Sequence, residues 1–186
     1  MRAIYNEIVI LVVILFFTGC TTTPPPKGVE DFPYGLMVNI FDLSTQYKKT
    51  GSEFPVIDGA FAYSISYRNK KNALFTHQIA IYRDSKSASD AYSLWESQWF
   101  NKNWTHPSDL TYNPKNNSDL YQLKCMDVKM NELPTRSCRM LQLHKNLIIL
   151  VLTNINSESI DFTTFEDVLT KLDARLPTGD IPMPGQ

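Results

Sequence analysis

The chain is poor in the residues on which catalysis, metal binding and phosphate binding are usually built: 186 residues hold three histidines, three cysteines and seven glycines. The histidines, His77, His106 and His144, stand apart, with no HxH, HxxxH or HExxH pairing to put two ring nitrogens on one metal. There is no GxSxG elbow, no SxxK and no glycine-rich loop to cradle a phosphate. Charge of one sign is also lacking, since Lys+Arg 18 against Asp+Glu 19 leaves a net charge of -1. That balance removes the basic footprint of a nucleic-acid binder, and no nucleic-acid partner is expected. No cofactor, metal site or catalytic residue is expected either. Carboxylate neighbours occur as Glu30-Asp31 near the N-terminus and as Glu166-Asp167, which reads as the first turn of a helix whose dipole explains the charge.

Long apolar runs are few, and the longest is the most informative. Ile8 to Phe17 is ten consecutive apolar residues, preceded by a short segment whose basic side chain is Arg2. As a helix this run rises only about 15 Å against a hydrocarbon core of about 30 Å, so it reads as the core of a signal peptide rather than a permanent span. It ends in Phe17-Thr18-Gly19-Cys20. This tetrapeptide resembles the lipobox of bacterial lipoproteins, with Gly19 and Cys20 at the most demanding positions and Phe17 where leucine is usual. The resemblance implies cleavage before Cys20, thioether lipidation of its sulfur and acylation, palmitate included, of the new N-terminus. Each buried CH₂ contributes roughly 0.8 kcal/mol, so two or three acyl chains would anchor stably where one is marginal. The competing readings are a secretory signal that happens to contain a cysteine, and a retained anchor helix.

Thr21-Thr22-Thr23-Pro24-Pro25-Pro26-Lys27-Gly28 offers nothing to a core, and its prolines favour an extended tether of about 3.1 Å per residue. Thr21 is not the aspartate that resembles an inner-membrane retention signal. The expected location is the cell membrane or outer membrane, lipid-anchored on the extracytoplasmic side, with the membrane as first partner.

Setting Cys20 aside leaves Cys125 and Cys138, an even number in a protein expected to be exported, where two thiols usually pair. A loop of this length predicts roughly 3 kcal/mol of stabilisation in the chain-entropy model. Two buried free thiols or a metal site are the alternatives, and the absence of a second Cys/His pair nearby speaks against zinc.

The folded part reads as α+β. Phe61 to Arg68 alternates with period two, and Phe75 to Tyr82 follows as its hairpin partner, with His77 on a core face at the sheet edge. Ala88, Ala91, Tyr92, Trp95 and Trp99 form one stripe of an amphipathic helix over Ser85 to Phe100, with Ser87 and Asp90 spaced as a capping box. Leu120 to Cys125, Ser137 to Leu143 and Leu147 to Thr153 read as strands, the last two joined by His144-Lys145-Asn146 with Asn146 suited to a left-handed turn. Ile160 to Leu176 returns to helical period, capped by Asp161 with Ile160 and Phe165 as a hydrophobic staple.

The expected fold is an antiparallel sheet of about five strands with two amphipathic helices packed on it, in the order ββα-loop-βββα. Residues 35–60 permit one or two helical turns at most. Element order and exported setting resemble small lipoprotein and sensor domains of the PsbP/Mog1-like type, a likeness of fold alone. The chain thus divides into a signal peptide (1–19), a lipidated cysteine and Pro-rich tether (20–34), one α+β domain (35–176) and a flexible tail (177–186).

Within that frame the binding candidates are aromatic. Tyr92, Trp95 and Trp99 share one helix face and belong to the core, whereas Trp104, His106 and Tyr112 lie in the Asn101 to Asp119 loop stiffened by Pro107 and Pro114. They read either as a platform for an envelope protein, peptide or glycan, or as plugs at the core edge. The expected role is a non-enzymatic binding or accessory domain. The alternative is an envelope hydrolase with its site in the 101–119 loop, near His106.

Overall fold

The structure, a computed structural model, describes residues 25–43, 46–114, 119–130 and 132–185. The signal peptide and Cys20 lie outside the described residues. Six strands, β1 (Lys48–Glu53), β2 (Ala60–Arg68), β3 (Leu74–Tyr82), β4 (Leu120–Met130), β5 (Leu133–His144) and β6 (Leu147–Ile155), form one sheet in the order β1-β2-β3-β6-β5-β4. Every neighbouring pair is antiparallel. Helix α1 (Ser85–Trp99) follows β3 and helix α2 (Phe162–Asp173) follows β6. The α+β class is as expected, and the strand number is corrected from about five to six. The added strand is β1, Lys-Lys-Thr-Gly-Ser-Glu, exposed at every position and interrupted by a bulge between Lys49 and Gly51. It buries no face, so it carries no alternation. Lysines and a bulge are what an edge strand uses to resist pairing with a stranger.

The period-two pattern sorts the sheet into two faces. Phe61, Tyr63, Ile65 and Tyr67 of β2, with Phe75, Ile79 and Ile81 of β3, join Met140, Ile149 and Val151 in a core closed by Phe165, Val168, Leu169 and Leu172 of α2. Phe32, Met37 and Val38 of the N-terminal segment complete it. On the opposite face Ala62, Ala80, Leu141, Leu143, Ile148 and Leu150 meet Ala88, Tyr92 and Trp95 of α1. The doubly apolar run of β6 is therefore central and covered by a helix on each side.

Local chemistry departs from expectation at several points. Helix α1 begins at Ser85 as expected, but its N-cap is Asp84, which accepts from the Ser87 amide at 2.7 Å, so Ser87 is not the cap. Asp161 caps α2 through the Thr164 amide, as its spacing predicts. In the β5–β6 turn the left-handed residue is Lys145, φ 54°, not Asn146. Asn146 is instead buried, its side chain donating to the carbonyls of Tyr82 and Ile181 and accepting from the Ile181 amide.

The same contacts correct the frayed tail. Pro177 O lies 2.6 Å from His144 Nε2, Ser85 Oγ donates to Asp180, and Gly185 crosses Gly28. At that crossing a Cβ on Gly28, whose φ is +83°, would lie 2.3 Å from the Gly185 amide nitrogen, so both glycine and its left-handed backbone are required. The tether also ends earlier than residue 34, because Val29–Asp31 and Tyr34–Leu36 form 3₁₀ turns and Phe32 between them is buried.

Candidate functional site

From Phe100 to Pro114 the chain leaves α1 on one face and wraps around the β4 edge toward α2 on the other. Phe100 and Trp104 meet edge to face at 6.1 Å on the α1 side. Arg139 of β5 is held there between rings, its guanidinium 5.0 Å from Trp99 and 4.1 Å from Trp104, with Nη1 donating to Trp99 O at 2.8 Å. Burial pushes the Arg139 pKa down. Thr105 then exchanges both backbone hydrogen bonds with Cys125 on the outer edge of β4. Beyond it Leu110 enters the core on the α2 side, and Tyr112 packs edge to face on Tyr121 at 5.8 Å. The far end is tied to α2 by Glu166, whose carboxylate accepts from the amides of Thr111 and Tyr112 and from the Thr111 hydroxyl. Glu166 lies beyond the first turn of α2, so it anchors a loop rather than answering the helix dipole.

Because the Cys125 amide and carbonyl both point outward to Thr105, Cys125 and Cys138 form a non-hydrogen-bonded cross-strand pair, the kind in which facing side chains come closest. They are disulfide-bonded, with Cα atoms 4.1 Å apart, and both are buried.

The strap and strands leave a polar groove of about 260 Å³ lined by Thr105, His106, Asp109, Asp127 and Arg136. Arg136 is its centre. Its Nη1 lies 2.8 Å from both Asp109 oxygens, its Nε donates to Asp127 at 3.0 Å, and its guanidinium lies 5.1 Å from the Phe162 ring. The hydrogen bonds that Arg136 donates to Asp127 and then to Asp109 raise its pKa further, against the opposing effect of burial. The charges of the groove thus answer one another. His106 is exposed, and its Nδ1 lies 3.2 Å from the carbonyl of Leu123.

The three expected binding residues are not brought together. Trp104 is 7% exposed and packed on the α1 side, whereas Tyr112 is half-buried on the α2 side. As a pair they do not form a platform, and Trp104 plugs the core edge. The residues that organise the loop gave no signal in the sequence beyond Arg139 and Glu166 lying in elements, and Arg136 fell just outside the expected strand. Arg136 and Arg139 flank Cys138 at positions that face opposite sides of the sheet, which a strand assignment alone could have placed.

The remaining histidines are structural. His77 sits on central β3, not at the sheet edge, fully buried with Nδ1 accepting from the Val38 amide at 3.0 Å. Beside it Arg175, just past the end of α2, makes a two-pronged ion pair with buried Asp42 and so ties the N-terminal segment to that helix end. Among the described residues no cluster of three or more His, Cys, Asp or Glu is placed to hold a metal ion. Compared with known proteins, the chain matches no family model and no curated protein.

Proposed function

We propose that this chain is a lipid-anchored protein of the bacterial cell envelope, acting through binding rather than catalysis. The observation that carries the reading is Phe17-Thr18-Gly19-Cys20 at the end of a signal-length apolar run, directly before a Pro-rich tether. The Cys125–Cys138 disulfide supports it, because such bonds persist in oxidising compartments outside the cytosol. The strap geometry favours an accessory role over a hydrolase. The one hydrogen bond of His106 runs from Nδ1 to a backbone carbonyl, among the described residues no hydroxyl or thiol is bonded to its Nε2, and the groove's carboxylates are held by Arg136, so no nucleophile and base are paired there.

The test is metabolic labelling with a palmitate analogue. The wild-type chain should incorporate label and fractionate with membranes, and Cys20→Ala should do neither. Equal labelling of the two would overturn the anchor. Alkylation without reductant should in the same preparation find no free thiol at Cys125 or Cys138.

A further inference from the structure

The charge that is balanced over the whole chain is not balanced over its surface. At the sheet corner where β1 begins and β2 turns into β3, the exposed side chains are Lys48, Lys49, Arg68, Lys70 and Lys71. Register brings them together: Lys48 pairs with Arg68 and Lys49 with Tyr67, and Lys70 and Lys71 follow directly in the turn. Glu158 answers Lys71 at 3.1 Å, while among the described residues Lys48, Lys49 and Lys70 have no ion-pair partner. Five cations against one carboxylate stand here in a chain of net charge -1.

This corner is also built to hold its shape. Asn69 is buried at the root of the turn, its Oδ1 accepting from the amides of Lys71 (2.9 Å) and Ala73 (3.0 Å), and its Nδ2 donating to Glu158 O at 2.7 Å. Asn72 takes the left-handed conformation at φ 61°, and Arg68 Nη1 donates to its carbonyl. A turn locked at its base presents its two lysines without the ordering cost of a loose loop.

We propose that this corner is a docking surface for an acidic patch on another protein. Lysine side chains on an open surface, with no cleft around them, act as point charges suited to a partner whose carboxylates are spread over a face. A second copy of the chain is disfavoured, since Lys48 and Lys49 would meet their own counterparts and the β1 bulge breaks the edge. A glycan is disfavoured because the rings beside the corner, Tyr47, Tyr67 and Phe75, are buried and unable to stack on sugar. The surface does not depend on the lipid anchor. Its direction does: the tether enters at the far end of β2, which is nine residues or about 30 Å away, so an anchored molecule holds this corner outward from the membrane.

The test uses the full-length protein in zwitterionic detergent with poly-L-glutamate as probe, followed by carbodiimide coupling. We expect saturable, salt-sensitive binding, with coupling concentrated at Lys48, Lys49, Lys70 and Lys71 and a loss of ten-fold or more in K48E/K49E/K70E/K71E. K86E/K102E should bind as wild type. Should the quadruple variant fail to fold, K70Q/K71Q must still weaken binding several-fold. Coupling spread evenly to Lys86 and Lys102, or unchanged affinity in the corner variants, would overturn the proposal. So would stronger binding to polygalacturonate or to phosphatidylglycerol vesicles than to polyglutamate. Cys20→Ala should keep this binding even where it loses membrane attachment, so the two readings fail separately.

Discussion

His77 shows how much one side chain in an ordinary strand can conceal. The alternation Phe75, His77, Ile79, Ile81 assigns it to a buried face, and the structure places it there. The sequence does not reveal its partner, the Val38 amide, 39 residues away. Since Nδ1 accepts, the neutral ring carries its proton on Nε2, which is buried without a partner. Burial first, and Arg175 second, push its pKa down from 6.5 to about 3, with Asp42 pulling weakly the other way. The folded state therefore refuses a proton that the unfolded chain accepts below about 6.5, so stability falls as pH falls through the window from about 6 to about 4. One group titrating only in the unfolded state gives a slope of about 1.4 kcal/mol per pH unit. Denaturant midpoints at half-unit pH steps should show this slope in wild type and its loss in His77→Gln, whose amide oxygen can still accept from Val38. An unchanged slope in the variant would remove His77 as the cause. Burial alone would raise the Asp42 pKa, but hydrogen bonds from Arg175 and Asn39 outweigh it and leave it lowered, so Asp42 gives up its contribution below that window.

At the scale of elements, legibility followed burial. β2, β3, β6 and both helices were readable because each buries a continuous face or stripe, and periodicity is the imprint of burial. β1 buries nothing, and β4 and β5 outrun their apolar parts because their outer ends, Val128 to Met130 and Leu133 to Thr135, pair with each other alone. The strap from Phe100 to Pro114 was recognisable as part of an ordered loop from its prolines and aromatics, but not as a wrap joining two faces, since that depends on contacts with Arg139 and Glu166 far along the chain. Its anchor on the α1 side is Trp104, stacked on a guanidinium that itself is held to Trp99 O. Trp104→Ala opens that stack and leaves Arg139 half-buried with fewer contacts, and it should cost about 3–5 kcal/mol, the range for deleting a buried tryptophan. Thermal melts read this directly, and a shift of only a degree or two would return Trp104 to the list of contact residues.

Over the whole molecule the decisive fact is that both described ends of the chain meet at one end of the sheet. Gly28 and Gly185 cross there, beside the β5–β6 turn and the Ile181–Asn146 hydrogen bonds. Pro25 follows Cys20 by five positions, a reach of about 15–18 Å even when extended. A domain of this length is about 40 Å across, so a lipid on Cys20 would leave it little freedom to turn its far end to the bilayer. With the proposed anchor, the end carrying Lys27, Arg83 and Lys86 would face the lipid, and the corner carrying Lys70 and Lys71 would face outward, separated from it by the length of β2. This orientation is measurable by energy transfer from a dye at a single added cysteine, Lys86→Cys or Lys70→Cys, to an acceptor in the vesicle surface. The native pair is already in its disulfide, and the proposed acylation would occupy the Cys20 thiol, so the added thiol would label alone. With acylation first verified by mass, transfer should be high from position 86 and several-fold lower from position 70, because a difference of about 30 Å spans most of the range over which such transfer decays. Equal transfer from the two positions in an acylated protein would mean that the domain lies on its side, and that the basic corner is within reach of the membrane after all.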